Sequence, residues 1–109
     1  MIEITRFDKE KAKAAHEGTI LASPVFPNCT SAPGNAYGYL DKAGARMAAH
    51  RHPTLEYYIV LEGRGYVEVD GERAEVAAGD VIQIPCNALH TMECKEDAPF
   101  VWAAFWWKV

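Results

Sequence analysis

Residues 44–63 read GARMAAHRHPTLEYYIVLEG. On a strand, successive side chains alternate between faces, so His50 and His52 share one face and Arg51 takes the other. Pro53 has no N–H to give to a sheet ladder, which places a bend after His52. Glu56 then heads the apolar run YYIVL. A carboxylate turned inward at the head of such a strand requires a charged partner or a metal ion. The stretch therefore offers two imidazoles from one strand and a carboxylate from the next. The alternative, two histidines sharing a surface strand beside a solvated glutamate, leaves Glu56 at the head of an apolar strand unexplained.

Outward from this stretch, the pattern after residue 36 is all β. AYGYLD, ARMAAHRH and EYYIVLE read as strands, the last closed by Gly63-Arg64-Gly65. GYVEVD runs into Asp70-Gly71, a hairpin turn signal, and ERAEV returns. After the Ala78-Gly79-Asp80 turn come VIQI, ended by Pro85, then LHTMEC, and finally FVWAAFWWKV. Short strands at close, regular spacing indicate a sandwich or barrel.

The first 35 residues read differently, as an arm belonging to the same domain. IEITRF (2–7) alternates and suits an edge strand. Asp8 is placed to cap a short helix over KEKAKAAHE (9–17), stopped by Gly18. His16 then falls on its surface. ILASPVFPNCTSAPGN (20–35) carries three prolines and reads as irregular, with room for one short strand.

The chain has 109 residues, enough for one domain with a modest core. Its net charge of −4 comes from interspersed acids and bases, with no basic run to suggest a nucleic-acid surface. No apolar stretch approaches the roughly 20 residues of a spanning helix. MIEITRFDKEKAKAA lacks the apolar region of a secretory leader, so a cytoplasmic location is expected. The three cysteines, Cys29, Cys86 and Cys94, form neither a disulfide framework nor a zinc knuckle and are expected as free thiols.

A second segment repeats the logic of the first. Residues 79–90, GDVIQIPCNALH, give a turn glycine, an apolar strand, a terminating proline, and His90 at the head of the next strand. Three of the four histidines fall in these two segments. The first matches the pattern G-x5-H-x-H-x3-E-x6-G at every defined position and resembles the first motif of the cupin superfamily. The second resembles the second cupin motif, G-x5-P-x-G-x2-H-x3-N, with Asn87 in place of its second glycine and Cys94 in place of its asparagine. Asparagine tolerates the left-handed backbone that the glycine would supply. The resemblance implies a small antiparallel jelly-roll barrel over residues 36–109. It also implies a metal held by His50, His52, Glu56 and His90.

Three imidazoles and a carboxylate suit one divalent transition metal, and ligand type does not choose among Mn, Fe, Co, Ni, Cu and Zn. Around that site, parity places Tyr58 and Val60 with Glu56, Ala48 and Arg46 with His50, and Met92 and Cys94 with His90. Tyr37 and Tyr39 share a face of unassigned direction. Tyr39 and Tyr58 are the candidate proton donors, and Arg46, Tyr37 and Met92 the candidate substrate contacts. Each has a plainer reading, the tyrosines as core aromatics and Arg46 as a solvated rim residue. Tyr57, Ile59 and Leu61 face away from the site, and an apolar outer face of this kind suits a homodimer unless the N-terminal arm covers it. An enzyme acting on a small polar metabolite, a sugar or organic acid, by isomerisation, elimination or decarboxylation is the first functional expectation. An iron-dependent dioxygenase and a non-catalytic ligand-binding module are the alternatives.

Overall fold

The computed structural model describes every residue from Met1 to Val109. Nine strands run in the order β1 (Lys13–Ala15), β2 (Ile20–Ser23), β3 (Gly34–Leu40), β4 (Leu55–Glu62), β5 (Arg64–Val69), β6 (Glu72–Ala77), β7 (Val81–Ile84), β8 (His90–Cys94) and β9 (Phe100–Trp107). They form a six-stranded sheet, β1-β2-β3-β9-β4-β7, and a three-stranded sheet, β6-β5-β8, with every pairing antiparallel.

The period-2 pattern sets which face is inside. Along β4, Glu56, Tyr58 and Val60 are buried, and Tyr57, Ile59 and Leu61 face out. Along β9, Phe100, Trp102 and Ala104 point into the core between the sheets, where they meet Val67, Val76 and Met92 from the small sheet. Leu40 of β3, Ile84 of β7 and Met47 complete this core. The Asp70-Gly71 turn forms as the sequence indicates. Both residues have positive φ, 48° and 86°, and Val69 pairs with Glu72 across them. The Asp70 carboxylate accepts the Leu89 N–H at 2.9 Å, and the Asp70 N–H donates to the Leu89 carbonyl at 2.8 Å. The hairpin tip thereby fixes the residue just before His90.

The helix expected over residues 9–17 is absent, and β1 occupies its C-terminal half. Asp8 does cap a turn: its carboxylate accepts the Glu10 N–H at 3.0 Å, and its carbonyl accepts Lys11 and Ala12, each at 3.1 Å. That one turn does not propagate. Its apolar positions are alanines with little area to bury, so nothing offsets the cost of extending it, whereas Lys13–Ala15 gains a ladder against Ile20–Ala22. Residues 2–7 form no strand. Phe7 instead stacks on Tyr39, with ring centroids 5.0 Å apart. Residues 44–50 are also no regular strand. They touch β8 through isolated bridges, Arg46 to Glu93 and His50 to His90.

Two tryptophans on β9 lie opposite glycines on β3. Trp102 pairs with Gly38 and Trp106 with Gly34, and a Cβ on either glycine would overlap the facing indole. The rings thus lie over bare backbone, and any side chain there displaces them. Gly38→Ala should therefore cost about 1–3 kcal/mol by overpacking. Urea denaturation should show a lowered midpoint at unchanged slope, and an unchanged midpoint would mean that Trp102 does not rest on Gly38.

Candidate metal centre

His50 and His90 are brought together by backbone pairing. The His50 N–H donates to the His90 carbonyl at 3.1 Å, and the His90 N–H returns to the His50 carbonyl at 3.0 Å. A directly opposed, hydrogen-bonded antiparallel pair sets two side chains close on one face. The same segment is tied further along, where the Met47 N–H reaches the Met92 carbonyl at 2.9 Å and the Thr91 hydroxyl donates to the Met47 carbonyl. His52 follows after one residue, and its carbonyl accepts the Asn87 N–H at 2.8 Å. Asn87 makes that contact from a left-handed conformation, φ 63°, the geometry that permits asparagine where the motif has glycine. Glu56 arrives from the opposite sheet.

The three imidazoles converge, with one nitrogen from each of His50, His52 and His90 lying within 4.8 Å of the others. The Glu56 carboxylate, itself buried, joins them. Its Oε1 is 3.0 Å from His52 Nε2 and 3.2 Å from His90 Nε2. Ring orientation is set from behind. His50 Nδ1 lies 2.9 Å from the Ala48 carbonyl, and His90 Nδ1 lies 2.9 Å from the Ala88 carbonyl. A carbonyl only accepts, so both Nδ1 atoms carry hydrogen, and Nε2 is the ring nitrogen left to face the cluster. Behind His52, Thr54 Oγ1 lies 2.6 Å from Nδ1 and holds the ring in place, though a hydroxyl can donate or accept and does not choose the tautomer.

The residues fit a cation on two observations. His90 Nε2 is a buried polar atom with no hydrogen-bond partner, 3.2 Å from Glu56 Oε1, a placement that a bound cation would satisfy. The carbonyl-fixed tautomers are also the arrangement usual for metal-binding histidines. Burial lowers the pKa of His50, with the Ala48 hydrogen bond acting in the other direction, so this ring is held towards its neutral, lone-pair-bearing form.

The remaining predicted residues divide. Tyr58 faces inward and is fully buried, its ring 6.0 Å from that of His90. Burial, and then the neighbouring Glu56 charge, pushes its phenol well above the usual range, so it keeps its proton. Tyr37 and Tyr39 point to the outer face of β3, packed with Val101 and Ala103 under Phe7, and the Tyr39 hydroxyl donates to Asp41 at 3.0 Å. Neither side chain joins the cluster. Arg46 is exposed and pairs with Glu68 at 3.0 Å and Glu93 at 3.6 Å. Parity fails there because residues 44–50 are not extended throughout, and Met47 rather than Arg46 enters the core. Met92 packs in that core. Cys94 is buried, its thiol directed to the Glu96 carbonyl at 3.1 Å and its pKa raised by burial, whereas Cys86 is exposed.

One participant was not foreseen. His16, expected on a helix surface, stacks on His50 with ring centroids 4.1 Å apart and planes 25° from parallel. It borders two cavities at the cluster. One is an inner chamber of about 50 Å³ walled by Ile20, Met47, Tyr58, Trp102 and Trp106. The other is a mouth of about 150 Å³ formed by His16, His50, His52, Glu56 and Trp106. The only sequence signal for His16 was negative: its alanine-rich surroundings make a poor helix face.

Similarity to known proteins agrees with this geometry. A cupin domain family model matches residues 39–107. An uncharacterized protein, MJ1618, of Methanocaldococcus jannaschii is 33% identical over 82% of this chain and 73% of its own length. A dimethylsulfoniopropionate lyase of Ruegeria pomeroyi is 43% identical over 43% of this chain and 31% of its own. A gentisate 1,2-dioxygenase of a Streptomyces species is 31% identical over 75% of this chain and 24% of its own. The chain thus spans less than a third of either enzyme. A crystal structure of a cupin 2 conserved barrel domain protein from Salinispora arenicola superposes with a TM-score of 0.83, covering 100% of this chain and 91% of that one at 23% identity. With the family model covering most of the barrel and the three imidazoles positioned to hold a metal, the chain belongs to the cupin family.

Proposed function

We propose that this cupin is a metal-dependent enzyme acting on a small organic acid by a lyase or decarboxylase type of reaction. The observation that carries the reading is the convergence of His50, His52, His90 and Glu56 at the base of a cavity with an open mouth. A divalent cation held by these four would supply Lewis-acid polarisation of a substrate oxygen. The chain's own residues supply the setting. Trp102, Met47 and Ile20 give the inner chamber apolar walls, and Tyr58 holds its proton beside Glu56 as a donor rather than a base. The mouth and chamber are small. The inner chamber of about 50 Å³ has room only for a small group, and the open mouth is lined by His16, His50, His52, Glu56 and Trp106, a polar setting that suits an acid headgroup. The lyase relative supports the same direction.

A cytoplasmic location accords with this reading, and no helix in the structure is long and apolar enough to cross a membrane. A homodimer is part of it. The arm residues Phe7 and Val25 cover the outer face of β3 and β9, but not that of β4 and β7. Leu61, Val81 and Trp107 stay exposed there, and β7 is an open sheet edge. A second copy would cover both features.

Purified protein should carry close to one equivalent of a divalent metal by elemental analysis. His52→Ala should lose it while keeping the β signature in circular dichroism, and unchanged metal content in that variant would refute the ligand set. Light scattering at micromolar concentration should return twice the chain mass, and a monomer would leave the β4–β7 face without the partner assigned to it. The gentisate dioxygenase relative supports a second reading, iron-dependent dioxygenation. An oxygen electrode decides between the two: turnover that proceeds anaerobically excludes the dioxygenase, and substrate-dependent O2 consumption with Fe(II) excludes the lyase.

A further inference from the structure

His16 is held over the cluster by a turn built for that purpose. His16, Glu17 and Gly18 have successive φ values of 50°, 60° and 77°. Left-handed conformations cost non-glycine residues free energy, and two in sequence persist only where the surroundings over-determine them. Thr19 supplies the anchor. Its hydroxyl donates to the His16 carbonyl at 2.6 Å and accepts the Ala48 N–H at 2.8 Å. The β1–β2 turn is therefore fastened to the backbone two residues before His50, and the His16 ring lies against the His50 ring.

The space that His16 borders is unusual in its charge. No lysine or arginine lines the inner chamber or the mouth, and the only acid is Glu56. Apart from the cluster itself, His16 is the only basic side chain at either cavity. Arg46, the one arginine that parity placed there, is engaged by Glu68 and Glu93 outside. The other walls are Trp102, Trp106, Tyr37, Tyr58, Met47, Ile20 and small residues. A second anionic group on a ligand would enter this chamber with no cation to meet it and would lose its hydration uncompensated.

Resting on the metal reading above, we propose that His16 is a ligand-binding residue: it hydrogen-bonds a carboxylate seated at the cluster, and the ligand is a compact monocarboxylate whose remainder is apolar. The stack on His50 aims the ring, and the Thr19 anchor holds the turn against withdrawal. The carboxylate meets His16 from the mouth, and the apolar remainder lies against Trp106 and Trp102.

The test uses the cobalt-loaded protein, whose visible spectrum reports ligands near the ion, titrated with propionate and with succinate. Two variants separate the roles. His16→Gly removes the ring without backbone penalty at a positive φ, and His16→Phe keeps a stacking ring but no donor. Cobalt affinity should stay within about twofold in both variants, since a carbonyl, not His16, orients His50. Propionate affinity should fall about tenfold in both, equivalent to about 1.4 kcal/mol and in the range for one hydrogen bond to a charged group. Succinate should bind the wild type at least tenfold more weakly than propionate. Unchanged propionate affinity in His16→Phe would overturn the hydrogen bond, and equal affinity for succinate would overturn the monocarboxylate class. Loss of cobalt from both variants would make His16 part of the metal centre and overturn its role as a ligand contact. Failure of the wild type to take up cobalt would instead sink the metal reading on which all of this stands.

Discussion

A buried carboxylate is the constraint around which this small sandwich is arranged. Glu56 sits at the head of β4 on the inner face of the large sheet, between two layers of apolar side chains. An isolated ionised carboxylate is not stable in such a place. The fold answers it with side chains from the other sheet and its flanking segment: His90 on β8, His50 bridged to it, and His52 just beyond. The two sheets are thus joined at this end by a polar cluster and elsewhere by Trp102, Phe100, Val60 and Met92.

The cluster depends in turn on main-chain contacts that have no side-chain signature. The Ala48 and Ala88 carbonyls fix the tautomers of His50 and His90, and the Met47 and Thr91 contacts hold the irregular segment against β8. Asp70 at the hairpin tip grips Leu89, and Asn87 grips His52. These supports come from four separate places in the chain. Each hydrogen bond is worth only about 1 kcal/mol, yet together they bring one nitrogen of each ring to within 4.8 Å of the others.

Much of this was legible from residue spacing, because the informative parts are strands with one buried face. Alternation placed Glu56, Tyr58 and Val60 inward and Tyr57, Ile59 and Leu61 outward, and the Asp70-Gly71 turn followed from its chemistry. Alternation misled where the backbone was not extended. Between Met47 and His50 the inward positions are three apart, so parity carried Arg46 to the wrong side. Asp8 was correctly seen as a cap but starts only one turn, because helix length depends on what the following residues can bury. His16 was invisible for another reason. Its position depends on a long-range contact between Thr19 and Ala48, and no local pattern encodes a contact across that separation.

The cluster also sets a balance between stability and use. His90 Nε2 and the Glu56 carboxylate are buried 3.2 Å apart, and taking such a pair out of water carries a desolvation cost that their mutual contact offsets only in part. Replacing His90 and Glu56 with well-packed apolar residues would remove that cost, as it commonly does for buried polar pairs. The sandwich has other means of cohesion: Trp102 and Phe100 are almost wholly buried, and large aromatic side chains of this kind are each worth about 3–5 kcal/mol. The aromatic core therefore carries a polar cluster that packing alone does not require. A cation that bound only the folded chain at this cluster would add to its stability. The centre is thus a polar cluster that the fold tolerates at a cost that an ion of suitable charge and softness would offset.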